Sequence, residues 1–120
     1  MGFVSRDSIL GADDREVREI DVPEWGGKAR LMSMSGDDRD RFETKILEGR
    51  KGDAIDLVGM RALLVGLCLV DEKGKRLFSD NDLRRLGAKS AKVLSRLYDE
   101  AARMNGITKA DEDELMEDLS

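Results

Sequence analysis

Three kinds of residue would ordinarily carry chemistry in a chain of this size, and here either their spacing or their number argues against it. Its twenty-six acidic residues crowd most closely at Asp37-Asp38-Arg39-Asp40 and Asp80-Asn81-Asp82, where grouped carboxylates could take up calcium. A calcium loop also needs glycine at its sixth position and glutamate at its twelfth, and neither run has both. Capping of helix starts accounts for the two clusters more simply. A carboxylate pair could do acid-base work, yet no spacing singles one out. The second kind, imidazole, is missing: the chain has no histidine, which removes His-based metal sites and Ser-His-Asp triads. The third is the single cysteine, Cys68, which excludes an internal disulfide framework and a Cys-rich metal site. It lies inside the apolar run of residues 62–70 and reads as a buried structural thiol. The glycines, Gly26-Gly27 included, match neither the dinucleotide fingerprint nor the Gly-Lys-Ser/Thr ending of a phosphate loop. The chain therefore reads as non-enzymatic, with no cofactor and no metal.

Binding is what remains, and two sets of residues suit contact with another protein. Trp25 stands beside Gly26-Gly27, where a large ring either closes over the apolar face of a hairpin or anchors a partner. Leu115, Met116 and Leu119 make a narrow apolar stripe on an otherwise acidic segment. Such a stripe can dock on the protein's own core, on a sister subunit, or on a basic, apolar partner surface.

The elements that must position these residues follow from composition and punctuation. A chain of 120 residues with 39% charged and only 4% aromatic side chains suits one domain with an aliphatic core, a composition that favours helix. The net charge of −5 is unevenly placed: residues 105–120 hold six acids against one lysine, while residues 1–104 carry twenty of each sign. A neutral body without a clustered basic face gives nucleic acid little to bind. The longest apolar run, broken at Arg61, is far shorter than a membrane span, and no basic stretch leads into a signal-like segment. A cytosolic protein without membrane contact is expected.

Residues 1–14 show no sustained period and read as a flexible N-terminal arm. Residues 15–35 read as a β-hairpin packed on the helical domain. With Gly26-Gly27 as a two-residue turn, Val22 faces Leu31 and Ile20 faces Ser33. Ile20, Val22, Ala29 and Leu31 then share an apolar face, and Glu19, Asp21 and Arg30 the other. Residues 36–104 read as the helical core. A helix starts at the capping run Ser35-Gly36-Asp37-Asp38 and reaches about Glu48. A second, capped by Asp53, runs to Leu69 or Val70, although its last third is apolar all round and a buried strand has the same signature.

A polar turn over residues 71–76 leads to a cap at Ser79, with Phe78 and Leu83 as its hydrophobic staple, and a short helix ending at Gly87. Residues 88–104 make a third long helix in which Ala91, Leu94, Leu97, Tyr98, Ala101 and Met104 recur on one face before Asn105-Gly106 stops it. Arg84, Arg85, Lys89, Lys92, Arg96 and Arg103 read as a solvated face, because Asp99 and Glu100 interleave with them. Residues 105–120 form an acidic C-terminal helix or tail, opening at Thr108. The fold class is mainly α with a small N-terminal β-hairpin.

In order and spacing, Val22-Pro23-Glu24-Trp25-Gly26-Gly27, Leu31 and Ser35-Gly36-Asp37-Asp38-Arg39-Asp40-Arg41-Phe42-Glu43 resemble the N-terminal part of the tail assembly chaperones of long-tailed bacteriophages. The second half extends the likeness, from Leu67-Cys68-Leu69-Val70-Asp71-Glu72-Lys73-Gly74-Lys75-Arg76-Leu77-Phe78-Ser79-Asp80 through Leu86-Gly87, Ser90-Ala91 and Leu97 to Asn105-Gly106-Ile107. The resemblance covers most of residues 4–117, and none of its motifs is catalytic. It implies a chaperone made in the host cytoplasm during infection, which keeps the tape measure protein soluble and helps the tail tube protein polymerise around it without remaining in the virion. It also implies a short reading-frame product, since many relatives have a longer frameshifted form. Self-association would suit such a role. A small connector or scaffold protein of the virion is the alternative use of the same helical body.

Overall fold

A computed structural model describes residues 2–48 and 59–107 of the chain. The elements run α1 (Arg6–Leu10), β1 (Val17–Val22), β2 (Gly27–Met32), α2 (Gly36–Glu48), α3 (Met60–Cys68), β3 (Leu69–Val70), α4 (Leu83–Gly87) and α5 (Ala91–Met104), with single 3-10 turns at Pro23–Trp25 and Asp80–Asp82. The molecule is mainly helical with a small antiparallel sheet, as expected, but the sheet has three strands in the order β1-β2-β3.

α3 is the centre of the core. Every residue from Ala62 to Cys68 is buried, and the helix is packed by α5, α4, α2 and β2. An apolar segment without a polar face can exist only with neighbours on all sides. The apolar run divides after Cys68: Leu69 turns to an extended backbone, and Leu69 and Val70 pair with Leu31 and Arg30 of β2. The expected helix through Leu69 or Val70 is thus corrected to a helix followed by a strand, because β2 offers an unpaired edge where the helix ends. The expected cap at Asp53 lies outside the described residues.

The hairpin is also corrected. Its register is Ile20↔Ala29 and Val22↔Gly27, not Val22 opposite Leu31, because residues 23–26 make the connection. Pro23 opens a 3-10 turn and Gly26 closes it with φ 82°, its amide donating to the Pro23 carbonyl at 3.0 Å. Proline supplies the fixed φ and glycine the left-handed conformation that such a turn needs. The slip is four residues in the summed register, an even number, so the faces survive. Val22, Ala29 and Leu31 are buried with Ile20 packed beside them, while Glu19 and Asp21 are exposed.

At the helix ends, Ser35 accepts from the Asp38 amide at 3.2 Å, the expected cap of α2. α5 starts later than expected: Ser90 caps it by accepting from the Val93 amide, and Ala91 is exposed. Its C-terminus closes as a Schellman motif, with the Ile107 amide on the Ala102 carbonyl at 2.8 Å, the Gly106 amide on the Arg103 carbonyl at 3.2 Å and Gly106 at φ 68°. Ile107 is buried against the core, the apolar contact that accompanies this motif.

Ser79 departs from expectation. Its hydroxyl meets the Asp82 carboxylate at 3.3 Å and caps no amide, although Phe78 and Leu83 do pack against the core. The first fourteen residues contain the one-turn helix α1, closed by a reciprocal Ser5 and Ser8 capping box with none of its residues buried.

Candidate protein-binding surface

The hairpin tip is set by a charge clamp to α5. The Glu24 carboxylate accepts two hydrogen bonds from the Arg96 guanidinium, at 3.1 and 3.0 Å. This two-pronged geometry, more specific than a single bond, holds the Glu24 carboxyl below the usual carboxylate range. One turn further along α5, Glu100 takes an ion pair from Arg18 on the inner face of β1 and another from Arg103 at 2.9 Å. Arg18 is also held by Glu16 at 2.8 Å. Arg84, Arg85, Lys89, Lys92, Arg96 and Arg103 are all exposed, as expected of a solvated face, and within it Arg96 pairs across the fold and Arg103 along its own helix.

With the turn fixed in this way, Trp25 is 38% exposed at the hairpin tip and is not part of the buried core. Other large apolar side chains are exposed with it: Val17 at the start of β1, Leu77, and Phe3, Val4, Ile9 and Leu10 on the N-terminal arm. The arm residues carry no alternating or helical period long enough to have stood out in the sequence, so only their exposure marks them. Leu115, Met116 and Leu119 lie outside the described residues.

The two acid clusters have structural uses. Asp38 follows the Ser35 cap and pairs with Arg41 at 3.5 Å. Asp80 sits among Arg41, Lys45 at 3.5 Å and Arg76 at 3.2 Å, joining α2 to the segment before α4. Partial burial alone would raise the Asp80 pKa, but the hydrogen bonds from Arg41 and Arg76 and the charges of Lys45 and Arg41 hold it below the usual range. A carboxylate already surrounded by three cations has no call for calcium, and no group of three or more His, Cys, Asp or Glu side chains among the described residues could hold a metal. Cys68 is buried, and desolvation pushes its thiol up to about 11, which keeps it protonated and unreactive at neutral pH.

Asn105 does more than stop a helix. Its side-chain oxygen accepts from the Met34 amide at 2.7 Å, and its side-chain nitrogen donates to the Ala101 carbonyl at 2.7 Å and lies 3.4 Å from Cys68 Sγ. Arg39 donates to its backbone carbonyl at 3.2 Å. One side chain thereby joins the end of α5, the end of α3 and the link from β2 to α2. Among the described residues no helix is long and apolar enough to cross a membrane.

Comparison with known proteins places this arrangement. Comparison with curated proteins gives no match. The fold is similar to the solved structure of the bacteriophage HK97 tail assembly chaperone, with a TM-score of 0.58 at 22% identity, over 82% of this chain and 90% of that one. The family described as phage tail assembly chaperone matches residues 9–116, so the match spans the hairpin, the helical core and the clamp between them, and the chain belongs to the phage tail assembly chaperones.

Proposed function

We propose that the chain is a non-catalytic chaperone that binds the tape measure protein, keeps it soluble and promotes assembly of the tail tube protein around it. Family membership over residues 9–116 is the observation that carries this reading. The surface is compatible with it: a well-packed aliphatic body presents Trp25, Val17 and the apolar arm residues to solvent, and exposed aromatic and apolar residues are the usual anchors of protein contacts. Self-association would multiply such contacts along an extended partner. Action in the host cytoplasm during infection, followed by release before the particle is finished, completes the proposal.

Co-expression tests it. The tape measure protein should be insoluble alone, soluble with this chain, and recovered with it by affinity capture. Purified particles analysed by mass spectrometry should lack the chain. A chain present at fixed copy number in finished particles would instead be a connector or scaffold component.

A further inference from the structure

Among the described residues β1 is an edge strand, and the ladder tells which of its backbone groups are left without a partner there. The Ser33 amide donates to the Glu16 carbonyl at 2.8 Å, a pair that continues the register Arg18↔Leu31, Ile20↔Ala29. In an antiparallel ladder the backbone groups of successive residues point to opposite sides. Arg18, Ile20 and Val22 therefore bond to β2, while the amides and carbonyls of Val17, Glu19 and Asp21 point away from it. None of these outward groups has a hydrogen-bond partner among the described residues.

The side chains along this edge select what can join it. Glu19 and Asp21 are exposed and neither carboxylate is held by an ion pair or hydrogen bond among the described residues, although Arg30 and Lys28 lie across from them on β2. Val17 is exposed on the same face, and Ile20 is half-buried on the inner one. A second copy fits poorly. Antiparallel pairing of β1 with itself sets residues 17, 19 and 21 against one another, and the register that uses the whole edge places Glu19 directly against Glu19. Like charges directly opposite each other destabilise a strand pair.

We propose that the free edge of β1 accepts an extended segment of a partner protein as a fourth, antiparallel strand, with basic residues opposite Asp21 and Glu19 and apolar residues opposite Ile20 and Val17. Main-chain hydrogen bonds to Val17, Glu19 and Asp21 hold the segment, and the two carboxylates choose its sequence, the division of labour usual when a strand is added to a sheet edge. Position 18 asks only for a small polar residue, since Glu100 and Glu16 already hold Arg18. The proposal rests on reading the chain as a chaperone that works by binding proteins.

The probe is a fluorescein-labelled ten-residue peptide with the central sequence Lys-Val-Lys-Ser-Val, titrated against the full chain by fluorescence polarisation. It should bind. Methylating the two lysine amides, which face β1, should abolish binding, whereas methylating the amides of the central valine and the serine, which face away, should leave it intact. The double variant E19K/D21K, with its circular dichroism spectrum checked as native, should lose at least about tenfold in affinity for this peptide and gain the Glu-Val-Glu counterpart, because like charges directly opposite each other destabilise a strand pair.

Failure of the wild-type chain to bind, equal behaviour of the two methylated peptides, or an unchanged preference in the double variant would each overturn the added strand. Capture of the tape measure protein is measured alongside. A chain that captures it yet ignores the peptide sinks this inference and leaves the chaperone reading standing; a chain that binds the peptide but not the tape measure protein does the reverse.

Discussion

α3 and the β1–β2 hairpin both turn apolar side chains towards the core, yet they are held there by different physics. α3 is buried on every side, so its position follows from packing alone. The hairpin buries one face, and charges on α5 fix where it sits: Arg96 on Glu24 at the tip, and Glu100 on Arg18 along β1. Packing terms are large and indifferent to salt, whereas exposed ion pairs are small and screened. The molecule thus separates the part that makes it stable from the part that presents a surface, and substitutions should sort accordingly.

The sharpest test of the packed half is Leu64→Ala. Leu64 is fully buried at the middle of α3, so the loss should be about 2–5 kcal/mol, the range for deleting a core leucine side chain and leaving a cavity. Urea unfolding followed by circular dichroism measures it, and a loss below about 1 kcal/mol would mean that the site collapses freely, unlike a close-packed core.

Asn105→Ala comes next, with an expected cost of about 1–3 kcal/mol, because truncation leaves the Met34 amide without its acceptor in a partly buried place. The same unfolding experiment reads it. Asn105→Asp keeps an acceptor for Met34 but sets a carboxylate oxygen against the Ala101 carbonyl at the helix C-terminus, so it should lose stability as well; full stability in both variants would show that neither bond matters.

These cases show what the sequence made legible. The sharing of faces along the hairpin was readable because side chains alternate strictly, and an error of four in the summed register cannot move Ile20 to the other face. The register itself was hidden, since choosing between a Gly26-Gly27 turn and a turn over residues 23–26 depends on which glycine takes positive φ. The change from α3 to β3 was equally hidden: a helix and a strand buried on all sides are both uniformly apolar, and only the free edge of β2, contributed from forty residues away, decides the boundary. Asn105 was visible as a helix stop because Asn-Gly is a local signal, but its bonds to Met34 and Cys68 are long-range.

Ser79 is the instructive error. The local pattern fits a cap, but the α-helix begins only at Leu83, after a 3-10 turn, and Asp80 is drawn to Arg41, Lys45 and Arg76. Trp25 stood out by its neighbours. The apolar arm and the free β1 edge did not, because exposure and an unpaired strand edge are properties of the fold.

Asp80 offers a pH test between the two halves in size. Its carboxyl is held below the ordinary aspartate value of 3.8, so the folded state binds this proton less readily than the unfolded chain. The resulting stability is fully present above about pH 4 to 5 and is lost as pH falls through the ordinary value towards the lower one of the folded protein. Asp80→Asn should therefore lower the urea midpoint at neutral pH and flatten its decline between about pH 5 and 2, leaving the two proteins closer together at the acid end. Parallel curves would show that the cations around Asp80 add nothing in water. Ser79→Ala, lacking a cap to lose, should stay within about 0.5 kcal/mol of the parent.

Glu24→Gln should have the smallest effect on stability and so tests the comparison most closely. The pair with Arg96 is exposed on both sides, at 41% of each side chain, where solvent screens the attraction and ordering two long side chains offsets much of what remains. The urea midpoint should not move measurably. What should change is local: the clamp restrains the 3-10 turn, so the Gly26 amide, which donates to Pro23, should exchange with deuterium faster in the variant than in the parent. Raising the salt to 1 M, where the screening length is about 3 Å, should bring the parent close to the variant. Acid should do the same, because Arg96 keeps the Glu24 carboxyl ionised below the usual range and the pair is lost only once that lower value is passed. A fall in the midpoint approaching that of Leu64→Ala would mean that the hairpin tip belongs to the packed half after all. Unaltered exchange at Gly26 would mean that the turn is held by Pro23 and Gly26 themselves, with the charge pair a bystander.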